Sequence, residues 1–184
     1  YVSVVGELIR FPRMRFAGQP VLVREPVNAT ADEWSKCGAE YTAYINPYVL
    51  AARYGFDFPV ASAADGNTVA VAEFQGEYFD ATDLEMFSSA CGIDTITISK
   101  TVGGNSPTAC EAGLEPCIES LLDIEYAGAI AGPIPLQVFY AADYALLDFA
   151  NTLLDQDEPP LVISVSYGND EAQQTGSDFM ESVS

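Results

Sequence analysis

The chain has 184 residues, of which 49% are hydrophobic, and its 27 acidic residues outnumber 7 basic ones, giving a formal net charge of −20. This length and apolar content are typical of one domain with a sizeable core. So acidic a chain would repel nucleic acid and anionic membranes, which argues against both as partners.

The first part of the chain differs from the rest in charge and in pattern. Residues 1–53 hold six of the seven basic residues, whereas residues 54–184 hold only Lys100 against 22 carboxylates. Residues 1–25 alternate loosely between apolar and polar types, which predicts an extended arm or edge strands, and residues 26–47 resemble a linker. The acidic body suits an acidic medium, where protonation relieves self-repulsion, although general solubility or a saline habitat explains the charge equally well.

Helical and strand patterns alternate after the linker, and no apolar run reaches the length of about 18 residues that a membrane span needs. The predicted elements are a helix from Pro47 that Gly55 ends, a strand at 68–74, a helix to about Ala90 capped by Thr82 or Asp83, a strand at 96–98, a helix that Pro116 begins, a strand at 135–140, a helix at 144–154 and a strand at 161–168. This order predicts an α/β domain with a mostly parallel sheet, in which functional sites gather at the carboxyl ends of strands.

The four cysteines, Cys37, Cys91, Cys110 and Cys117, fit no zinc spacing, and the chain contains no histidine. Disulfides are therefore expected. Cys110 and Cys117 are close enough in sequence to close a small loop, while other pairings stay open. Asn28 begins an N-glycosylation acceptor motif, which together with the cysteines indicates a secretory or lysosome-like route.

A pair of carboxylates, Glu119 and Asp123, is four residues apart in the apolar stretch CIESLLDIEY at 117–126. Without histidine, a serine or cysteine nucleophile needs a carboxylate or a lysine as its base, and two coupled carboxylates can share a proton at low pH. Glu73, at the end of a predicted strand, is a third candidate. Such pairs also arise by chance in an acidic chain, but these two have apolar neighbours that predict a buried helix: Ile118, Leu121, Leu122 and Ile124.

Four segments in the same order resemble the sedolisin family of serine-carboxyl peptidases, over about 125 residues of the chain. The first two resemble the opening of its catalytic domain and its first strand and helix. The third resembles the helix with the catalytic Glu and Asp, and the fourth resembles the strand beside the substrate. They are INPYVLAARYGF at 45–56, TVAVAEFQGEYFDATDLEMF at 68–87, ESLLDIEY at 119–126 and VISVSYGNDE at 162–171.

The resemblance implies a subtilisin-like α/β fold, with a mostly parallel sheet that has helices on both faces and is incomplete in this chain. It also implies that Glu119 is the general base for a serine nucleophile, that Asp123 supports Glu119, and that Glu73 extends the proton network. The segment Ser166-Tyr167-Gly168 would be the strand edge that pairs with an extended peptide substrate. Tyr167 stands where such family members have a tryptophan, so that outer contact differs here.

The resemblance also predicts a division of the chain. Residues 1–44 would be the end of an activation propeptide and its linker, and residues 45–184 the amino-terminal half of the peptidase domain. The start at Tyr1 shows no signal pattern, so we expect a processed chain or part of a longer one. The nucleophilic serine, the oxyanion-hole aspartate and the calcium site of the family would lie beyond Ser184, so no cofactor is expected within the chain.

Two functions are consistent with this sequence. In the first, the chain is part of an acid-acting endopeptidase or tripeptidyl peptidase, secreted or in a lysosome- or vacuole-like compartment. Its partners would be peptide substrates and a carboxyl-terminal half or partner chain that carries the serine. In the second, it is a non-catalytic relative that serves as a structural or binding subunit. The carboxylates Glu73, Glu119 and Asp123 favour the first, and the basic arm and the missing serine favour the second.

Overall fold

The computed structural model describes residues 29–38, 45–60, 62, 66–111 and 117–168. The chain divides into two units, one of Pro26–Val165 and one that combines Tyr1–Glu25 with Ser166–Ser184. Every helix and strand given below belongs to the first unit. The predicted arm at residues 1–25 lies outside the described residues.

Helices alternate with four strands that all pair in parallel, in the order β2-β3-β1-β4. This arrangement confirms the predicted α/β fold with a parallel sheet. The elements are α1 Ala31–Ser35, α2 Pro47–Tyr54, β1 Val69–Phe74, α3 Ala81–Cys91, β2 Ile98–Val102, α4 Thr108–Glu111, α5 Ile118–Ala131, β3 Leu136–Ala141, α6 Leu146–Leu154 and β4 Val162–Val165.

The predicted second strand is displaced. The apolar residues at 96–98 were expected to form it, but the strand runs over Ile98–Val102, and its three central side chains are exposed. Ile96 instead packs in the core before the strand begins, and its N–H donates to the Ser88 hydroxyl. The apolar residues therefore predicted the buried segment just before this edge strand and not the strand itself.

The start of α3 also differs from the prediction. Its N-cap is Asp80, whose side chain accepts from the N–H of Thr82 at 2.8 Å, so that neither Thr82 nor Asp83 caps the helix. The prediction for α2 is confirmed: the Asn46 side chain caps the helix before Pro47, and Gly55, with φ at 72°, ends it. Pro116, the predicted first residue of α5, lies outside the described residues.

The two faces of the sheet carry different helices because alternate residues of a strand point to opposite sides. On one face, Val71 of β1 packs in a cluster with Leu84 of α3 and Ile124 of α5. On the other, the ring of Phe74 lies 5.3 Å from that of Tyr144 and 5.7 Å from that of Phe149 in α6. Helices therefore cover both faces of the sheet at its centre.

The strand β4 lies at the edge of the described sheet, beside β1. Its side chains are exposed along its whole length, and the apolar ones, with the residue before the strand, are Leu161, Val162, Ile163 and Val165. A strand of a parallel sheet is normally covered on both faces.

Among the described residues, no helix has the length and apolar character needed to cross a membrane.

Two disulfides link the described elements, as the sequence predicted for four cysteines. Cys110 bonds to Cys117 across seven residues and joins α4 to the start of α5, which is the expected small loop. Cys37, just after α1, bonds to Cys91 at the last residue of α3, with a sequence separation of 54. The second bond ties part of the predicted linker to the helical layer of the sheet.

Candidate functional site

The helix α5 packs on β1 and β3 through one side only. Ser120 and Ile124 are fully buried, and Gly128 lets the helix approach closely, because a Cβ there would lie 2.6 Å from Cγ2 of Ile96. Ile118 and Leu122 are 56% and 49% exposed. Ser120, Ile124 and Gly128 are spaced by four and form a buried stripe along the helix. The prediction of a largely buried helix is therefore wrong on the outer face, which points away from this stripe.

Glu119 and Asp123 lie next to the buried stripe, each one position before a buried residue, and both are half-buried. Since α5 crosses back over a sheet of parallel strands before β3 begins, its first turns lie at the carboxyl ends of the strands. The pair is therefore at the edge of the sheet where functional sites of such folds gather.

Glu73 is the next-to-last residue of β1 and is fully buried. It lies two residues beyond Val71, so it points to the same face of the sheet, the one that α5 covers. Its register partner on β3 is Tyr140. The structure thus brings Glu73 to the same face and the same edge of the sheet as the Glu119–Asp123 pair.

A fourth carboxylate, Glu77, was not among the predicted site residues. The backbone N–H of Glu119 donates to Oε2 of Glu77 at 3.2 Å. Cys117, the N-cap residue of α5, makes no side-chain capping bond. Glu77 follows β1 by three residues, so its position after a strand end was the signal that could have identified it.

Burial and the neighbouring carboxylates raise the pKa of Glu119 above its ordinary value. Partial burial is the largest cause, and the charges of Asp123 and then Glu77 add to it. Burial and like charges both disfavour the ionised form of a carboxyl group. When it is ionised, Glu119 is therefore a stronger base than an ordinary carboxylate.

A second pair of acidic residues, also not predicted, consists of Glu125 on α5 and Asp83 on α3. The pKa of Glu125 is raised to about 7, chiefly by burial and also by the charge of Asp83 on α3. Its neighbour Tyr126 donates its hydroxyl to the carbonyl of Ile45 at 2.6 Å. Burial, and then the charge of Glu125, raises the pKa of Tyr126 as well.

Two tyrosines meet at the carboxyl end of β3. The hydroxyl of Tyr140 donates to that of Tyr78 at 2.8 Å, and their ring centroids lie 4.5 Å apart. Burial, followed by this hydrogen bond, raises the pKa of Tyr140 to about 12. The Tyr140 hydroxyl therefore stays protonated over the acidic range, where it donates a hydrogen bond and carries no charge.

The remaining predicted site residues are Ser166, Tyr167, Gly168 and Asn28, and nothing in the described structure tests their roles. The strand β4 ends at Val165, and Ser166, Tyr167 and Gly168 belong to the other unit of the chain, so their predicted substrate role stays a prediction. Asn28 lies outside the described residues. Within the described ranges, no group of three or more Cys, Asp or Glu side chains is arranged to hold a metal ion.

Comparison with known proteins finds similar relatives, three of which are described here. The chain is 33% identical over 177 residues to physarolisin from Physarum polycephalum, covering 95% of this chain and 26% of the relative. It is 33% identical over 112 residues to tripeptidyl-peptidase 1 from Dictyostelium discoideum, covering 58% and 18%. To kumamolisin from Bacillus sp. (strain MN-32) it is 31% identical over 136 residues, covering 71% and 24%.

No family model matches the chain. The chain spans 26% or less of the length of these three relatives. All three relatives are sedolisins, and the parallel α/β sheet is the one expected of that family. On this evidence the chain belongs to the sedolisin family.

Proposed function

We propose that the protein containing this chain is a serine-carboxyl peptidase that acts in an acidic medium. Glu119 would take the proton of a serine nucleophile, Asp123 would support Glu119, and Glu73 would extend the proton network beneath them. The observation that carries this proposal is the position of the pair, at the start of α5 and over the face of β1 that holds Glu73.

The local chemistry supports an acid optimum. A carboxylate with an ordinary pKa is a weak base for a hydroxyl group, whereas burial and neighbouring charges make Glu119 more basic. Two carboxyl groups one helical turn apart can also share a proton, because ionising both is unfavourable. A pair that exchanges one proton at low pH can therefore serve as base and then as acid.

The relatives support peptide substrates, since all are sedolisin peptidases and one is named a tripeptidyl-peptidase. The serine nucleophile would come from sequence outside these 184 residues, either a further part of the polypeptide or a partner chain. The exposed apolar side chains of β4 support such a neighbour. The choice between tripeptide release and internal cleavage would depend on the substrate-side segment at Ser166, Tyr167 and Gly168.

We further propose a secreted protein or one of a lysosome-like compartment. Two disulfides among the described residues support this location, because such bonds persist in oxidising compartments. Glycosylation at Asn28 would fit the same route. The calcium ion implied by the family resemblance would lie outside this chain.

The test uses the full protein in which this chain occurs. Peptide hydrolysis at acidic pH should fall by about 10²-fold or more in Glu119→Gln, because a general base is lost while the size of the side chain is kept. Asp123→Asn should also reduce the activity. The control is Glu85→Gln, which removes one exposed carboxylate from α3 and should leave the rate unchanged.

Full activity in Glu119→Gln would remove Glu119 from the mechanism. Peptide mapping of the source material adds an independent check, since it should find a serine-bearing segment or fragment. If that is missing and the protein hydrolyses no peptide at any acidic pH, the chain is a non-catalytic subunit and the peptidase proposal is wrong.

A further inference from the structure

We propose that Glu77 is a positioning residue for the carboxylate pair: its carboxylate holds the first turn of α5 through the N–H of Glu119, and its charge acts on the Glu119 side chain. This role rests on the proposed function, because it concerns the same base. The geometry that supports it is independent of any catalytic assignment.

The first step is the turn that presents Glu77. After β1, the N–H of Glu77 donates to the carbonyl of Phe74 at 3.2 Å, closing a four-residue turn. Both central residues, Gln75 at φ 61° and Gly76 at φ 89°, have positive φ, which is the mark of a type I′ turn. Such a turn reverses the chain sharply. The Glu77 side chain that follows it reaches α5, where it accepts the N–H of Glu119.

The second step is the anchoring of the residues that follow. Tyr78 accepts the hydroxyl of Tyr140, and Phe79 exchanges two hydrogen bonds with the side chain of Asn105, through its N–H at 3.2 Å and its carbonyl at 3.0 Å. Glu77 therefore lies between a closed turn and two residues tied to neighbouring segments. Because the backbone is held on both sides of Glu77, the position of its carboxylate oxygens is restricted.

The third step is the need that Glu77 meets. The first N–H groups of a helix have no partner within the helix, and α5 receives no capping bond from the side chain of Cys117. Glu77 supplies an acceptor from a distant part of the chain, at the N–H of Glu119. A negative charge at this end of a helix is also favourable toward the helix dipole.

The fourth step is the electrostatic setting of Glu119. Asp123 faces it from its own helix, Glu77 from the turn, and β1 and β3 bring Glu73 and Tyr140 to the same face of the sheet. Among the helices packed on α5, α3 contributes Asp83, which acts on Glu125, and α2 contributes the cation Arg53 in its last turn. The charge of Glu77 acts on Glu119, and it can be removed by mutation without altering the Glu119–Asp123 pair or the strand β1 beneath it.

Two variants of Glu77 separate its two effects. Glu77→Gln keeps an oxygen that can accept the N–H of Glu119 but removes the charge, whereas Glu77→Ala removes both. The matched control is Glu85→Gln, which removes an exposed charge on α3. Each variant is made in the full protein, and its fold is compared with that of the parent by circular dichroism.

Two readouts report on the site directly. The ionisation of the Glu119 side chain is followed by carbon-13 NMR, with the signal assigned through Glu119→Gln, and the exchange of the Glu119 amide is followed by hydrogen–deuterium exchange. We expect Glu77→Gln to ionise Glu119 at lower pH with its amide protection retained. In Glu77→Ala the Glu119 amide should exchange about tenfold faster, because its acceptor is gone.

Activity provides the third readout. With a base that ionises at lower pH, Glu77→Gln should raise kcat/KM about twofold on the acidic side of the optimum, whereas Glu77→Ala should lower kcat about tenfold because the pair loses its alignment. The control should change neither value. A purely structural residue would not move the acid limb of the pH profile.

The proposal is overturned if Glu119 ionises at the same pH in Glu77→Gln and in the parent, or if its amide exchanges equally fast in Glu77→Ala and Glu77→Gln. If Glu77→Ala does not fold, the Glu77→Gln titration alone decides. A parent protein without peptidase activity would contradict the proposed function, while the two spectroscopic readouts would still decide the role of Glu77.

Discussion

Glu125 shows how a single partly buried carboxyl group ties the stability of this fold to pH. Its pKa is about 7 in the folded chain, against the ordinary value of 4.5. The folded state therefore binds more protons than the unfolded state between these two values. Stability from this group is complete below about pH 4.5, falls as the pH rises through 7, and is constant above that.

The variant Glu125→Gln should remove this dependence. Since Glu125 is only partly buried, solvent screens the effect, and we expect a gain of about 1 kcal/mol in the free energy of unfolding at pH 8 but none at pH 4. Urea unfolding at both pH values measures it, with Glu85→Gln as the control. An equal gain at both pH values would contradict the linkage to Glu125.

At the level of elements, the close contact of α5 with the segment before β2 depends on Gly128. A Cβ at this position would lie 2.6 Å from Cγ2 and 3.2 Å from Cγ1 of Ile96, a core side chain. Alanine favours a helix over glycine by about 1 kcal/mol, but forcing a methyl group into a packed core costs about 1–3 kcal/mol. The packing cost therefore exceeds the gain in helix propensity.

We expect Gly128→Ala to lower the free energy of unfolding by about 1 kcal/mol. The matched control is the same substitution combined with Ile96→Ala, which removes the opposing atoms. In that background Gly128→Ala should cost nothing or stabilise the chain, as a double-mutant cycle of urea unfolding would show. Equal costs in both backgrounds would mean that the helix does not rely on this contact.

The sequence predicted most elements because their signals are local. The apolar run before Phe74 and the proline and glycine around α2 act within a few residues, and the alternation of helix and strand then dictates a parallel sheet. β2 was displaced because its central side chains are exposed and polar, so that no apolar run marks the strand. The cap at Glu77 could not be predicted, since it joins a turn to a helix 42 residues later.

For the candidate site, the sequence predicted which carboxylates come together but not how deeply they are buried. Spacing on a helix identified Glu119 and Asp123, and the alternation of a strand brings Glu73 to the same face. Their local environment was not predictable: apolar neighbours suggested a substantially buried helix, whereas Leu122 is half exposed. Burial depends on which neighbours a helix meets, and a single sequence does not contain that information.

At the scale of the whole molecule, the disulfide between Cys37 and Cys91 means that cutting the backbone does not by itself separate the fragments. It spans the predicted boundary between the propeptide-derived part, residues 1–44, and the peptidase domain. One backbone cut anywhere between the two cysteines leaves both fragments covalently joined. A protein cut near residue 44 would thus keep its amino-terminal part.

Gel electrophoresis after limited proteolysis tests this consequence. A product cut once between residues 37 and 91 should migrate as one band without a thiol reductant and as two bands with it, because the fragments are joined by the disulfide between Cys37 and Cys91. A cut on the amino-terminal side of Cys37 is the control and should give two bands in both gels. Two bands without reductant from the first product would contradict the bond.

The same bond gives any maturation of this protein a second requirement. Severing the peptide bond at a propeptide boundary beyond Cys37 would not shed the segment, since the crosslink to α3 would retain it as a light chain. Complete shedding would need either reduction of the crosslink or a cut upstream of it. The location of a single scissile bond relative to Cys37 therefore decides whether the mature protein has one chain or two.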